Sequence, residues 1–462
     1  MADTVAGSGG VQGSGAVGVG GVEALDLLKP EEQRARERFL PIARFALIDR
    51  LTHAEAWPPG EDLEARRFFR FLDYWRQQQY TRKVLVLQQA YEPFSPDSDL
   101  LMTRTYSDGE RRVLQKRVVN GVEDLLRHSN YERVDPKDVE MILTKESHYG
   151  LDLTVDLKAF EELLIYYRGA STQREEKRAF GKFGRKQEFA VPIFRRLFVL
   201  FKLKPEAARV AEIMAEKRCD REEAEKIARK LRSLIPTEVQ TDQIYMKLFK
   251  NMPRSDIEMI FPNTRVRFRL MDKIKLGVTS GAGLGMGAFG AAGKIALAAT
   301  NPIAAAGAVA GLGGIVFRQA MNFMNQRQRY MIVMAQNLYF HSMADNRGAM
   351  IKLANRAAEE DIKEEVLLYA VLAKETVRRS DLEAVDAAIE EYLTKSFGMS
   401  ADFEIADALE RLIADGLVTE DADGTLHCLP PRAAAQHIDL MWDKFLDDLP
   451  DPTRGEGREI ED

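Results

Sequence analysis

The chain has 462 residues, of which 45% are hydrophobic and 30% are charged, and its 66 Lys and Arg against 72 Asp and Glu give a net charge of −6. This composition excludes a disordered chain, a collagen-like chain and an ordinary polytopic channel, and the negative balance excludes a general polyanion binder. The two cysteines, Cys219 and Cys428, lack the close spacing of a zinc or redox motif, so we expect two reduced thiols.

The first segment of the chain is rich in glycine and has neither the basic region nor the continuous apolar region of a secretory signal. We interpret residues 1–25 as a disordered tail. Over residues 26–147, apolar and aromatic side chains recur at spacings of three and four, which predicts a helical N-terminal domain. A Pro-containing loop is expected at Tyr91–Asp99, between two of its helices.

The hydrophobic period changes to two after residue 147, and this alternation is typical of half-buried strands. We therefore predict a small sheet domain over residues 148–270. A charged segment of good helix formers, residues 204–236, is expected to be a helical insertion in that domain. The strand candidates are Leu151–Val155, Leu163–Tyr167, Leu197–Leu203 and Ile244–Leu248.

A Gly/Ala-rich segment follows, in which the uncharged runs Leu276–Gly293 and Ile295–Phe317 approach the length of about 20 residues that a spanning helix needs. Residues 271–330 therefore predict a transmembrane-type helical hairpin with a turn at Asn301-Pro302. A buried Gly/Ala hairpin inside a soluble protein and a flexible loop are the alternatives. Glycines spaced by four would let the two helices approach closely. These glycines are Gly277, Gly281, Gly285, Gly283, Gly287, Gly307 and Gly311.

Basic residues flank this hairpin on both sides, a distribution that places the soluble domains on the cytoplasmic side of a membrane. Each basic side chain at the membrane interface would attract anionic headgroups by about 1 kcal/mol. The predicted interface residues are Arg265, Arg267, Arg269, Lys273, Lys275 and Arg318.

Helical patterns dominate the C-terminal region. Residues 331–378 predict amphipathic helices, one of which, Gly348–Lys374, is expected to leave most of the acids of Glu359–Glu365 in solvent. Over residues 379–449 the order helix, helix, hairpin, helix predicts a winged-helix-like module. The second of these helices is acidic, which favours a protein partner and argues against nucleic acid. Residues 450–462 are expected to be an acidic tail.

The sequence contains no catalytic constellation. Its six histidines are dispersed without the spacing of metal ligands. A GxGxxG string at Gly285–Gly290 follows no predicted strand and has no acidic residue about 20 positions later, so it does not predict a dinucleotide site. We expect no catalytic residue, no cofactor and no metal.

Four strings, together with the shorter YEPFSPD, identify a resemblance to a known family: RERFLPIARFALIDRL, LLIYYRGA, IYMKLFKNMPRSDIEMIFPNTRVRFRLMDKIKLG and NLYFHSMADNRGAMIKLANRAAEEDIKEEVLLYAVL. The chain resembles the transmembrane protein 143 family, also known as domain of unknown function 3754, from about Arg36 to about Phe445. The resemblance implies two hydrophobic helices after the third string and assigns no activity. The most specific motif residues are Phe249, Lys250, Pro253, Asp256, Glu258 and Pro262.

These observations lead to one main hypothesis, an α+β and mainly α protein that is a non-enzymatic, membrane-attached scaffold or interaction protein of the bacterial inner membrane. Its expected partners are membrane lipids, a second copy of the chain and a protein at the C-terminal module. The alternative is a cytoplasmic, soluble enzyme or ligand-binding protein with the hairpin buried as core. Its pocket would lie between the sheet domain and the helices, with Arg168, Lys250, Asp256 and Glu258 as candidate residues.

Overall fold

The structure is a computed structural model. It describes residues 38–134 except 100, 102 and 103, residues 151–178, residues 186–268 except 254–256, 258, 259, 263 and 264, positions 321, 328, 332, 335 and 336, and residues 338–447. Over these residues the chain is a mixed α+β protein with a five-stranded antiparallel sheet, a three-stranded sheet and a two-stranded pair.

Nine α-helices are bounded in the part of the chain that the structure describes: α1 (Arg44–Leu51), α2 (Glu61–Tyr91), α3 (Asp108–His128), α4 (Glu206–Lys217), α5 (Arg221–Arg232), α6 (Asn346–Leu372), α7 (Leu382–Phe397), α8 (Ile405–Ala414) and α9 (Pro431–Lys444). The strands are β1 (Glu132–Arg133), β2 (Leu151–Thr154), β3 (Phe160–Arg178), β4 (Lys186–Leu203), β5 (Ile244–Pro253), β6 (Arg265–Phe268), β7 (Ser342–Asp345), β8 (Val377–Arg378), β9 (Val418–Glu420) and β10 (Thr425–Cys428).

The large sheet has the strand order β1-β3-β4-β5-β7. The predicted strands at 163–167 and 197–203 are confirmed, but each is part of a longer strand of 19 or 18 residues. Successive residues of β4 face opposite sides of the sheet: Phe198 and Leu200 pack against helices, whereas Leu197 and Val199 belong to the core on the other face. The predicted helical insertion is present as α4 and α5.

Two long helices connect two separate hydrophobic cores. Helix α2 has 31 residues and is therefore about 46 Å long, and α6 has 27 residues. The first part of α2, with Phe68 and Leu72, shares a core with the last part of α6, α8 and α9. The second part of α2, with Val84 and Leu87, shares another core with the first part of α6, α3 and the sheet. Both helices therefore cross from one core to the other near their middles.

The C-terminal elements occur in the predicted order of helix, helix, hairpin and helix. Helices α7 and α8 come first, and β9 and β10 form the hairpin, to which β8 adds a third strand. Helix α8 packs against α6, while α9 packs against α2. These elements are consequently joined closely to the N-terminal helices.

The predicted membrane attachment is wrong. Among the residues that the structure describes, no helix combines the length and the apolar character that a bilayer crossing requires, because the two longest, α2 and α6, carry charged residues along their length. This finding overturns both the membrane-anchored scaffold and the location in the bacterial inner membrane. The predicted hairpin itself, with its seven glycines and with Arg269, Lys273, Lys275 and Arg318 at its flanks, lies outside the described residues.

Gly169 has a backbone conformation that other residues rarely adopt, with φ +72°, and a Cβ atom there would lie 3.0 Å from Cδ of Arg195 and 3.1 Å from Cε1 of Phe39. We expect Gly169→Ala to destabilise the fold by about 1–3 kcal/mol. The midpoint of urea unfolding measures this effect. Gly398→Ala is the matched control, since Gly398 has φ +65° with nothing within 4 Å. Equal shifts of the two midpoints would show that close packing around Gly169 contributes nothing.

Candidate functional site

Charged side chains are concentrated where α2 and α6 cross between the two cores. All residues from Glu360 to Ala370 are buried. The prediction that the α6 acids face solvent is therefore wrong for Glu360, Asp361, Glu364 and Glu365, which are at most 4% exposed. The physical reason is that α1, α2, α3 and α8 pack around α6, so the helix has no solvent face at this level.

Arg411 of α8 inserts its guanidinium among three of these acids. Its Nη2 lies 2.6 Å from Glu364, its Nε 2.8 Å from Glu365 and its Nη1 3.4 Å from Asp361. Only 11% of the Arg411 side chain is exposed. Removing one partner of such a buried ion pair strongly destabilises the folded protein, because the other charge stays buried without compensation.

Arg76 of α2 makes the corresponding contacts from the other side. Its Nη2 lies 2.8 Å from Glu365 and 2.7 Å from Asp415, the residue that follows α8. Gln79 also accepts a hydrogen bond from Arg76. Helices α2, α6 and α8 are thus joined by one set of buried ion pairs.

Arg168 of β3 pairs with the first acid of the group, at 3.2 Å between its Nη1 and Glu360. The same Nη1 donates to the Ser129 carbonyl, and the guanidinium lies 4.8 Å from the ring centre of Phe39 and 5.4 Å from that of Tyr131.

We define the charge network by its ten members: Arg76, His128, Arg168, Lys363, Arg411, Glu360, Asp361, Glu364, Glu365 and Asp415.

His128, at the end of α3, is the member of the network that lies nearest to solvent. Its Nδ1 lies 3.3 Å from Asp361 and its Nε2 3.5 Å from Asp124. Burial alone would lower the pKa of His128, but the hydrogen bonds to Asp124 and Asp361 outweigh it and raise this pKa to about 9. The ring is therefore cationic at neutral pH.

The environment of Glu364 favours its neutral form, whereas that of His128 favours the charged form. Burial raises the pKa of Glu364 to about 8, against the attraction of Arg411. In the described part of the chain, no three His, Cys, Asp or Glu side chains are placed to hold a metal ion. The charge network therefore acts on the packing of helices.

A groove opens beside the network, between α2, α3 and α9, with a volume of about 780 Å³. It exists because α3 and α9 pack against different parts of α2 and leave the stretch between them uncovered. Trp75 and Phe445 meet edge to face at one end, with ring centres 6.0 Å apart. The apolar floor consists of Trp75, Val86, Leu87, Leu125, Met441 and Phe445.

The rim of this groove is basic. Arg82 and Lys83 come from α2, Arg117 from α3 and Lys444 from α9. The acid at the rim, Asp124, is engaged by Lys83 at 3.2 Å, by Arg127 at 2.9 Å and by His128. Within the described ranges, neither Arg82 nor Lys444 has a carboxylate at ion-pair distance, so the rim has excess positive charge.

The structure does not bring the predicted motif residues into this groove. Phe249 is buried on the face of the sheet that points away from α2 and α6. Lys250 is exposed near the end of β5, and Pro253 and Pro262 are half-buried. Asp256 and Glu258 lie outside the described residues. Of Arg265 and Arg267, the structure describes the β6 backbone.

The sequence patterns did not predict the groove residues. Their one local signal is on α2, where Arg82 and Lys83 stand next to Leu85 and Val86, apolar residues that are 58% and 42% exposed. An apolar residue beside basic residues on a helix surface can mark a binding face.

Residues 160–348 match the family model of a protein of unknown function, DUF3754. This part of the chain therefore carries a domain of unknown function. It extends from β3 through β7 to the start of α6, whereas the groove residues come from before and after it. No solved structure matches the chain.

Proposed function

We propose that the protein binds an amphiphilic anion, a molecule with an apolar chain and one negatively charged head group such as a long-chain carboxylate. The observation that carries this proposal is the groove between α2, α3 and α9, which combines an apolar floor with a basic rim. Its volume of about 780 Å³ lies within the range of roughly 300–1,000 Å³ typical of small-molecule sites.

The floor supplies the binding free energy of the apolar chain. Trp75 and Leu87 are almost fully buried, while Val86 keeps 42% of its surface exposed at the groove. Covering this surface with a ligand removes apolar area from water, worth about 0.8 kcal/mol for each buried CH₂ group. We therefore expect affinity to rise with chain length until the floor is filled.

The basic rim favours a ligand with a negatively charged head group. Arg82, Arg117 and Lys444 stand on three different helices around the same opening. Like charges around one opening repel each other, and a carboxylate bound between them removes this repulsion. The carboxylate can also accept two hydrogen bonds from an arginine guanidinium. A neutral or cationic head group of the same size obtains no such contact.

Titration with dodecanoate below its critical micelle concentration tests this proposal, with tryptophan fluorescence as the readout because Trp75 lines the floor. Dodecanol and dodecyltrimethylammonium are matched ligands that differ in head group charge. We expect saturable binding of dodecanoate, at least tenfold tighter than of the other two. The double variant Arg82→Gln/Lys444→Gln should weaken dodecanoate binding about tenfold, since an exposed ion pair contributes up to about 1 kcal/mol, and should leave dodecanol binding unchanged.

The matched control is Lys226→Gln/Lys230→Gln on α5, which lines no part of the groove and should leave all three affinities unchanged. Equal affinities for the three head groups would show that the rim does not select an anion. No saturable change with any of them would refute the ligand-binding function.

We also infer finer assignments from the sequence. The relationship to the transmembrane protein 143 family is supported by the four strings quoted above, and the winged-helix-like assignment of residues 379–449 by the order of their helices and hairpin. The domain boundaries given above and a homo-oligomer remain proposals. A protein partner at the C-terminal module is supported by Leu440 and Trp442 of α9, which are 59% and 46% exposed.

A further inference from the structure

Three basic residues lie directly opposite one another across the central strands of the large sheet. Arg168 of β3 pairs in register with Arg196 of β4, and Arg196 pairs with Lys250 of β5. Residues directly opposite in antiparallel strands share one face, with Cβ atoms about 4.5–5.5 Å apart. Phe198 and Leu248, a pair two positions along the strands and so on the same face, face the helices, and the row therefore lies on the helical side of the sheet.

Such a row is unfavourable by itself, since like charges directly opposite destabilise a sheet. The charge of Arg168 is compensated by Glu360. Arg196 is half-buried, and its Nη1 donates to its neighbour's carbonyl, that of Arg195, at 2.7 Å. For Arg196 and the exposed Lys250, no carboxylate of the described chain lies at ion-pair distance. Among the described residues, these two adjacent cations therefore have no counter-charge.

The surroundings of the row are also short of acceptors. The Nε atom of Arg168, a side chain with 7% exposure, is buried and has no hydrogen-bond partner among the described residues. Burial lowers the pKa of Arg168 against the attraction of Glu360, and the cations Arg356 and Arg196 lower it further. Arg356 is itself engaged by Glu359 at 2.6 Å.

We propose that Arg196 and Lys250 form a binding site for the phosphate group of a small molecule. A phosphate group carries up to two negative charges and can accept hydrogen bonds from an Arg fork and a Lys ammonium at the same time. Arg168, whose charge Glu360 compensates, borders the site on β3. His341 lies beside the site, where its Nδ1 is 2.8 Å from the Lys250 carbonyl and holds the end of β5.

This site is separate from the groove and does not depend on the function proposed for it. All three residues of the row lie in the stretch that matches DUF3754, whereas the groove residues lie outside it. The two sites also differ in chemistry, because the row has no apolar floor of its own.

Binding of inorganic phosphate to the full chain, followed by broadening of its ³¹P resonance at constant ionic strength, tests the proposal. We expect saturable broadening that Arg196→Gln/Lys250→Gln weakens at least tenfold. Lys250→Gln alone, at an exposed position, should weaken it at least threefold. The groove variant Arg82→Gln/Lys444→Gln is the control and should bind phosphate as the unchanged chain does.

Thermal unfolding supplies a second measurement. Without phosphate, Lys250→Gln should melt at or above the temperature of the unchanged chain, because a repulsive pair is removed. With phosphate, the unchanged chain should gain more than the variant. A phosphate monoester that binds tighter than inorganic phosphate indicates a ligand with an organic body, and the reverse indicates free phosphate. Equal broadening by the unchanged chain and both row variants would overturn the proposal.

Discussion

Replacing Arg411 by methionine is expected to lower the free energy of unfolding by about 3–5 kcal/mol. The substitution keeps an apolar chain of similar length but leaves Asp361, Glu364 and Glu365 buried with one cation fewer. Urea unfolding followed by tryptophan fluorescence measures the effect, because Trp57 and Trp75 both belong to the core that α8 helps to form. We expect the core around α8 and α9 to unfold at a much lower urea concentration.

Arg432→Met on α9 is the matched control, since Arg432 is an exposed arginine on a neighbouring helix. It should change the urea midpoint little. Adding Glu364→Gln to Arg411→Met should recover part of the loss, because one uncompensated carboxylate is removed. If Arg411→Met were no more harmful than Arg432→Met, the charge network would not stabilise the contact between α6 and α8.

The second large effect is a loss of stability as the pH rises from about 6.5 to about 9. The pKa of His128 is raised in the folded protein from 6.5 to about 9. Its stabilising contribution is therefore complete below pH 6.5 and is lost as the pH rises through 9. A shift of this size corresponds to at most about 3 kcal/mol.

Urea midpoints at pH 6 and pH 9 measure this slope. His128→Gln should be less stable than the unchanged chain at pH 6 and should show a much smaller difference between the two pH values. His53→Gln, at an exposed position, is the control and should keep the original slope. A slope that stays the same in His128→Gln would assign the pH dependence to other groups.

Local periodicity was sufficient to predict most of the described elements. The strands around Leu163 and Leu197, the helical insertion and α8 all follow from the spacing of apolar residues, which depends on neighbours in the chain. The positions of apolar residues within Gly348–Lys374 also predicted α6. They did not show that the helix is covered on every side, because a helical wheel contains no information about how many elements pack around it.

The charge network could not be predicted, because its partners are far apart in sequence. Arg76 and Glu365 are 289 positions apart, and Arg76 and Asp415 are 339 apart. The groove has the same difficulty, since Arg82, Arg117 and Lys444 converge only when α2, α3 and α9 pack together. Arg168 and Lys250, which the sequence singled out, do lie in one row, but Arg196 between them became visible only from the strand register.

Because α2 and α6 each contribute to both cores, neither core can be completed before α6 has been synthesised. The Leu40 amide donates to Glu360, 320 positions later in the chain. At roughly 5–20 residues per second, a ribosome needs about 16–64 s to synthesise that interval. Throughout this time Phe68, Leu72 and Trp75 have no α6 or α9 to pack against. We expect the nascent N-terminal half to expose apolar surface until the C-terminal helices leave the ribosome and complete its core.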